Sequence, residues 1–162
     1  MLAKKSPLIL KNFLLLRQTI EFIPPSSKDI VSIQELTDSY PIDIDFVIQD
    51  IQKPTFQLFV KIEVNVSSPK LPGYSIFSEG AGVFEFDESI VNTEKDKGNL
   101  LYYSGVPICI NSLRSIISNV TSHGPFGKYT LPSIDVNELL KDKGVIRPKQ
   151  TPKSKPESKS NP

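Results

Sequence analysis

The chain has 162 residues, of which 38% are hydrophobic and 23% charged, and its formal net charge is +1. This length is enough for one domain with a sizeable core, and no apolar stretch is long enough to cross a bilayer. The short apolar runs at the N-terminus are separated by Lys11 and Asn12, which excludes a signal peptide, so we expect a soluble, cytoplasmic protein. Cys109 is the only cysteine, which excludes an internal disulfide and is typical of a small core residue.

From Leu14 to Phe86 the apolar residues recur with a period of two, which is typical of β-strands. Four runs show this alternation, at residues 14–22, 42–49, 56–66 and 74–86. In the first run one parity is shared by Leu14, Leu16, Ile20 and Phe22, and we predict that these side chains lie on one face. Gly80 and Gly82 interrupt the fourth run, which suggests a bulge or the close approach of another backbone. Short connections between the runs predict antiparallel pairing.

After residue 98 the period changes to that of a helix. The i, i+3, i+4, i+7 positions of an amphipathic helix are occupied by Leu113, Ile116, Ile117 and Val120. Gly105 and Pro107 predict a kink or a fresh helix start, and Gly124 followed by Pro125 predicts the helix end.

A second, short helix is predicted further on, capped by Ser133 or Asp135. Its apolar residues are Val136, Leu139 and Leu140. The apolar sheet face must be covered by these helices. The predicted fold is therefore α+β, a four-stranded antiparallel sheet with one long helix and a short C-terminal helix packed on one face.

The C-terminal residues differ from the rest in composition. Residues 141–162 contain seven basic and two acidic residues, a net charge of +5 that leaves −4 for residues 1–140. Four prolines follow Ile146, and no aliphatic or aromatic residue does. Such a segment cannot bury enough apolar surface to become ordered. We predict one domain at residues 1–142 and a disordered basic tail at 143–162. The lysines of this tail either serve only to keep it solvated or weakly attract acidic partners or RNA.

The sequence contains almost no catalytic residues. His123 is the only histidine, and no Ser-His-Asp set, Cys-His pair or cluster of metal ligands accompanies it. Gly80-Ala81-Gly82 lies inside a strand pattern with no helix start after it, which is not the context of a phosphate-binding loop. Asp43 and Asp45 share a strand face, where carboxylates are usually only solvated. We therefore expect a protein that is not an enzyme and binds no metal or cofactor.

These elements, in this order, resemble the SecB family of bacterial export chaperones. The segment SHGPFGKYTL at 122–131 is similar to the family's Ser-x-Gly-x-Phe and following Leu, directly after its long helix. Arg114 falls where the family carries an arginine. Weaker similarities to the second strand, the end of the fourth strand and the turn into the second helix are found in YPIDIDF (40–46), EGAGVFEF (79–86) and LPSIDVNELL (131–140). The resemblance covers about residues 10 to 140.

The resemblance implies a bacterial, ATP-independent holdase that assembles as a dimer of dimers and holds unfolded polypeptides for export. It implies a client groove between helix, crossover loop and sheet, for which the candidates are Tyr40, Phe46, Tyr74, Phe126, Tyr129 and Leu131. It also implies an oligomer interface on the long helix, for which the candidates are Ile108, Ile110, Leu113, Ile117 and Val120. Any single groove candidate is as compatible with an ordinary core position.

The sequence departs from the family at acidic positions that bear on the choice of partner. Family members that work with the SecA motor carry acids on the outer sheet face and near the C-terminus. Here Phe77 stands at the place of the fourth-strand acid, the first-strand places fall at residues 18 or 19 and 22 or 23, and the tail is basic. These departures argue against SecA as a partner. The alternative function is a SecB-like chaperone dedicated to one partner, such as an antitoxin. A small-ligand-binding or enzymatic domain on the same sheet is a third interpretation.

Overall fold

The computed structural model describes residues 2–25, 33–52 and 54–145. Its strands are β1 (Leu8–Ile23), β2 (Ile42–Gln52), β3 (Thr55–Val64) and β4 (Gly73–Phe86). Its helices are α1 (Ile33–Asp38), α2 (Glu94–Leu100), α3 (Val106–Thr121) and α4 (Val136–Asp142), and a π turn at Leu101–Gly105 joins α2 to α3. The predicted α+β fold is confirmed. The predicted disordered tail falls, from residue 146 onward, outside the described residues.

The four strands form one antiparallel sheet in the order β1-β4-β3-β2. β3 and β4 are central, and β3 shows the cleanest alternation of buried and half-buried side chains. Its inward side chains have at most 6% of their surface exposed and are Phe56, Leu58, Val60, Ile62 and Val64. β1 and β2 lie at opposite edges, although they follow each other along the chain.

β1 differs from its prediction in two ways. It begins at Leu8 and not at Leu14, and its register with β4 shifts between Leu10 and Asn12 and again between Leu15 and Arg17. Each shift adds a residue to one strand and changes which parity faces inward. Leu14 lies opposite Ala81, whereas Ile20 lies opposite Ile76. Positions 81 and 76 of β4 differ in parity, so Leu14 and Ile20 lie on opposite faces of the sheet. The predicted common face for Leu14, Leu16, Ile20 and Phe22 is therefore wrong.

The long helix begins earlier than its apolar stripe suggests. The Thr93 side chain accepts the Asp96 N–H at 3.1 Å and caps α2, and the helical path then continues to Thr121. The irregularity predicted at Gly105 and Pro107 takes the form of the π turn, since Pro107 has no N–H to continue the regular bonding. Among the described residues, no helix is both long and apolar enough to cross a membrane.

Side chains of α3 approach β4 closely over Gly80 and Gly82. A Cβ at Gly82 would lie 2.6 Å from the Cys109 Sγ, and a Cβ at Gly80 would lie 2.5 Å from the Phe13 ring, 3.0 Å from the Leu14 carbonyl oxygen and 3.1 Å from Leu113. The predicted close approach of another backbone is thus found at Gly80, whereas at Gly82 the nearest atoms belong to side chains. The absence of two side chains in β4 thus lets α3 lie low on the sheet, where Cys109, Leu113 and Ile117 have no exposed surface.

Candidate functional site

Residues 122–135, which we call the crossover segment, run from the end of α3 to α4. Asp135 caps α4, because its side chain accepts the Asn137 and Glu138 N–H groups at 2.9 and 3.2 Å. The segment has no helix or strand of its own. Side chains from other elements therefore have to satisfy its backbone polar groups.

The Tyr74 hydroxyl group holds the first half of the crossover segment. Tyr74 has 2% of its surface exposed, and its oxygen accepts the Phe126 N–H at 3.1 Å. The same oxygen lies 3.0 Å from the Gly127 carbonyl oxygen and 3.3 Å from that of Thr121, to either of which it can donate. A Cβ at Gly124 would lie 2.4 Å from this hydroxyl group. Gly124 therefore both ends the helix and leaves room for Tyr74.

Thr121 holds the middle of the crossover segment. Its buried hydroxyl oxygen accepts the Tyr129 N–H at 2.9 Å and donates to the Ile117 carbonyl oxygen at 2.7 Å. Thr121 was not among the predicted site residues. The sequence feature that could have indicated it is a hydroxyl-bearing residue four positions after the buried Ile117, on the apolar stripe of α3.

Arg114 holds the last part of the crossover segment. Its Nε donates to the Leu131 carbonyl oxygen at 3.0 Å, and its Nη2 donates to that of Pro132 at 2.8 Å. Nη1 donates to the Asn111 side chain on the same helix. The resemblance to the family's arginine assigns no role to Arg114, whereas its three hydrogen bonds show that it holds the crossover segment to α3.

The floor under the crossover segment is built by Tyr40 and Asn65. The Tyr40 hydroxyl group donates to the Pro72 carbonyl oxygen at 2.8 Å and accepts the Tyr74 N–H at 3.0 Å. Asn65 has a φ of 54°, and its amide donates to the Leu71 and Tyr74 carbonyl oxygens, both at 2.8 Å. These bonds fix the start of β4 and thereby the position of the Tyr74 ring. Burial raises the pKa of Tyr40, and the hydrogen bond from the Tyr74 N–H lowers it by less.

A cavity of about 290 Å³ lies between the end of α1 and the crossover segment. It is lined by Thr37, Asp38, Ile42, Tyr74, Phe126, Lys128, Tyr129, Thr130 and Pro132. Tyr129 is 3% exposed, and its buried hydroxyl group has no hydrogen-bond partner in the part of the chain that the structure describes. Burial, with smaller contributions from Tyr40 and Asp38, raises the pKa of Tyr129 to about 12. The hydroxyl group thus stays neutral at physiological pH.

The structure brings five of the six predicted groove residues together. Tyr129 lies against Tyr40 with ring centroids 5.8 Å apart, and Phe126 lies 6.2 Å from Tyr74. Leu131 is held beside them by Arg114 and is 1% exposed. Of these side chains only that of Phe126 is partly exposed. Its ring also packs on Phe22 of β1 with the ring centroids 5.1 Å apart, and Phe22 is 41% exposed.

Phe46, the sixth predicted groove residue, lies elsewhere. Its ring packs edge-on against Tyr102 of the π turn at 6.2 Å, and the Lys143 ammonium lies 5.8 Å from the ring centroid. Phe46 is 4% exposed. It connects β2 to the helical layer and does not line the cavity.

The predicted interface residues divide between the two sides of α3. Ile110, Leu113 and Ile117 face the sheet and are at most 2% exposed, whereas Ile108 is partly buried and Val120 is 43% exposed. In this single chain, only Ile108 and Val120 have surface left for another copy. The role of all five in assembly stays a prediction.

The cavity at the site combines aromatic side chains with polar and charged ones, among them Asp38 and Lys128. No group of three possible metal ligands occurs among the described residues. Burial raises the pKa of the Cys109 thiol to about 12, so a thiolate nucleophile is not formed near neutral pH. What the site offers is a group of aromatic rings under a segment held by a few side-chain hydrogen bonds.

No protein-family model matches the chain, and no curated protein matches it either. Solved structures do match. A SecB-like chaperone of Mycobacterium tuberculosis, in complex with a peptide from the HigA1 antitoxin, aligns with a TM-score of 0.57 and 12% identity over 80% of this chain and 88% of that chain. A Streptococcus agalactiae protein of unknown function aligns with a TM-score of 0.41 and 9% identity, over 78% of this chain and 97% of that one. At this identity the first alignment defines architecture alone, and from it the chain has a SecB-like fold.

Proposed function

We propose that this protein is an ATP-independent chaperone that holds non-native polypeptide segments against the aromatic side chains beneath the crossover segment. The observation that carries the proposal is the arrangement of Tyr74, Phe126 and Tyr129 around a cavity of about 290 Å³, with the Tyr40 ring packed behind Tyr129. Aromatic rings supply large apolar surfaces that accept many partners. Burying about 100 Å² of client and ring surface would contribute about 2.5 kcal/mol before the ordering costs.

The fold supports the same proposal. The Mycobacterium tuberculosis protein with this architecture is a SecB-like chaperone and binds an antitoxin peptide. An extended peptide is also the kind of ligand that a segment without its own secondary structure can accommodate. We infer that polypeptides, and not small molecules, occupy the site.

A chaperone dedicated to one partner is the second candidate. It is favoured by the antitoxin peptide bound to the structural neighbour. The two candidates share the same site but differ in the number of clients. A general holdase binds unrelated unfolded chains with similar affinities, whereas a dedicated chaperone binds one sequence far more tightly.

Coupling to SecA is not part of the proposal. The outer sheet face carries Phe77, and the Arg17 guanidinium lies 4.9 Å from its ring centroid. In the strand register Phe77 pairs with Glu63 and Arg17 pairs with Glu79, so this face carries both signs of charge and is not a purely acidic docking patch. Holding clients requires no such patch.

Assembly of several copies is proposed from the apolar side chains that one chain leaves exposed. β1 is an edge strand on which six large apolar side chains are 40% to 49% exposed: Ile9, Leu10, Leu14, Leu15, Leu16 and Phe22. Exposed apolar edge strands favour pairing with another chain. Val120 adds an exposed apolar side chain on α3. We therefore expect a homo-oligomer, in line with the dimer of dimers that the resemblance implies.

The proposal is tested by diluting several unrelated denatured proteins into buffer with and without the chaperone, in the absence of nucleotide, and following light scattering. We expect suppression at stoichiometric concentrations. Phe126→Ala is expected to weaken client binding about tenfold, which corresponds to about 1.4 kcal/mol. Phe126 is suited to this test because its ring is partly exposed, so its removal leaves most of the core in place.

Phe77→Ala is the matched control, since it removes a partly buried phenylalanine from the opposite sheet face. It should leave client affinity unchanged within about twofold. Equal losses in the two variants would place client binding elsewhere. Failure of every unrelated client, together with tight binding of a single partner, would favour the dedicated chaperone.

A further inference from the structure

Arg114 differs from the other side chains that hold the crossover segment because it is charged. Its guanidinium group donates to the carbonyl oxygens of Leu131 and Pro132 at 3.0 and 2.8 Å. Within the described part of the chain, no carboxylate forms an ion pair with it. Hydrogen bonds from an ionised donor are stronger than neutral ones. The charge of Arg114 is therefore satisfied mainly by the backbone of the crossover segment.

Two cavities adjoin the length of chain that Arg114 holds. Tyr129 and Pro132 contribute to the cavity of about 290 Å³. Arg114 itself, Ser133 and Ile134 contribute to another cavity, of about 200 Å³. Because Pro132 lines the first cavity and Ser133 lines the second, a displacement of this length of chain would change both.

The closed position also has an unfavourable element. The Tyr129 hydroxyl group is buried and has no hydrogen-bond partner among the described residues, and a buried polar group without a partner loses its hydration without compensation. Opening the segment would return this hydroxyl group to water or to a client. The bonds of Arg114 favour the closed position, and the orphaned hydroxyl group favours the open one.

We propose that Arg114 is a positioning residue that latches the crossover segment shut over the aromatic side chains, and that a client binds when residues 131 and 132 leave it. This inference rests on the proposed function, because it names what regulates access to the same site. The aromatic rings of Tyr40, Tyr74 and Tyr129 are at most 6% exposed in the latched state. Only the unlatched fraction is competent to bind, and the apparent dissociation constant is the intrinsic one divided by that fraction.

The sign of the expected effect follows from this relation. Arg114→Ala should increase the association rate constant for a fluorescently labelled, permanently unfolded client about tenfold and lower its apparent dissociation constant about tenfold. Arg114→Lys should give a smaller change in the same direction, since one ammonium group cannot replace the two parallel N–H donors of the guanidinium fork. Arg17→Ala, on the outer sheet face, is the charge-matched control and should change neither value by more than twofold.

A merely structural role for Arg114 predicts the opposite outcome, because a destabilised site binds more weakly. Weaker or unchanged client binding in a folded Arg114→Ala variant would overturn the latch. Arg114→Lys keeps the charge and the helix propensity, and it carries the same test if Arg114→Ala does not fold.

Amide hydrogen exchange tests the latch without any client. The Phe126 and Tyr129 N–H groups bond to the Tyr74 and Thr121 side chains, and opening of the segment exposes them to exchange. In Arg114→Ala these two amides should exchange about tenfold faster, while the amides of β3 should keep their rates. An equal acceleration in β3 would contradict the latch. If the parent protein binds no unfolded client, the proposed function fails, and this measurement still decides the latch.

Discussion

Tyr74→Phe removes a single oxygen atom from the centre of the candidate site. The substitution leaves the Phe126 N–H and the Gly127 carbonyl group without their side-chain partner, while the ring of this 2% exposed residue keeps its packing. Leaving a buried polar group unsatisfied costs about 1–3 kcal/mol. We therefore expect the free energy of unfolding to fall by about 2 kcal/mol. For a chain of this size that corresponds to a melting temperature about 4–8 °C lower.

The assay is urea denaturation combined with calorimetry, with Tyr103→Phe as the matched control. Tyr103 lies in the π turn and is 49% exposed, so loss of its hydroxyl group should change the free energy of unfolding by less than about 0.5 kcal/mol. Equal changes in the two variants would refute the assignment of Tyr74 as the residue that holds the crossover segment. Faster exchange of the Phe126 amide in Tyr74→Phe would connect the lost stability to this segment.

Three further measurements follow from the structure. Gly82→Ala should lower the free energy of unfolding by about 1–3 kcal/mol, because the new Cβ would lie 2.6 Å from the Cys109 Sγ. Gly98→Ala in α2, where the nearest atom would lie 3.9 Å away, should raise it by up to about 1 kcal/mol. Chemical denaturation of the two variants measures both changes. Cys109, with its raised pKa and full burial, should react with a thiol reagent only at the rate of unfolding, and rapid labelling of the native protein would contradict this. The pKa of Asp45 is held below its ordinary value of 3.8, mainly by a hydrogen bond from Lys143. The stability that the folded protein gains from the ionised Asp45 is therefore complete above pH 3.8 and is lost as the pH falls through the lower folded pKa. Lys143→Gln should raise the pKa of Asp45 in an NMR titration.

Much of the fold could be predicted because local pattern and global packing agree. In β3 every second residue is apolar, and those residues are the buried ones. Gly124 and Pro125 end the long helix where the sequence indicates. Prediction failed where a single extra residue changes the register, as in β1, because a bulge leaves no mark on composition. It also failed at the start of the long helix, where α2 has no buried side chain and therefore no apolar stripe.

The candidate site was predictable in composition and less so in geometry. The aromatic residues of the crossover segment stand out in the sequence, and five of the six groove candidates do come together. Phe46 was grouped with them because alternation along β2 reports the face of a side chain and not its distance from the segment. Thr121 was missed because a hydroxyl group near a helix end has several possible local partners, and only the folded chain brings the Tyr129 N–H to it.

The sequence by itself determined the four strands, the apolar stripe of the long helix and the apolar side of β3, because these depend on residue type and on spacing over a few positions. Only the tertiary structure decided that β1 lies next to β4 at the sheet edge, that most of the aromatic candidates are buried, and that Arg114 holds the crossover segment. Each of these depends on contacts between residues far apart in the chain, such as Tyr74 with Phe126, or on a side chain that chooses among several available carbonyl groups. Local spacing contains no information about such choices, since their energies are set by what the rest of the fold leaves within reach.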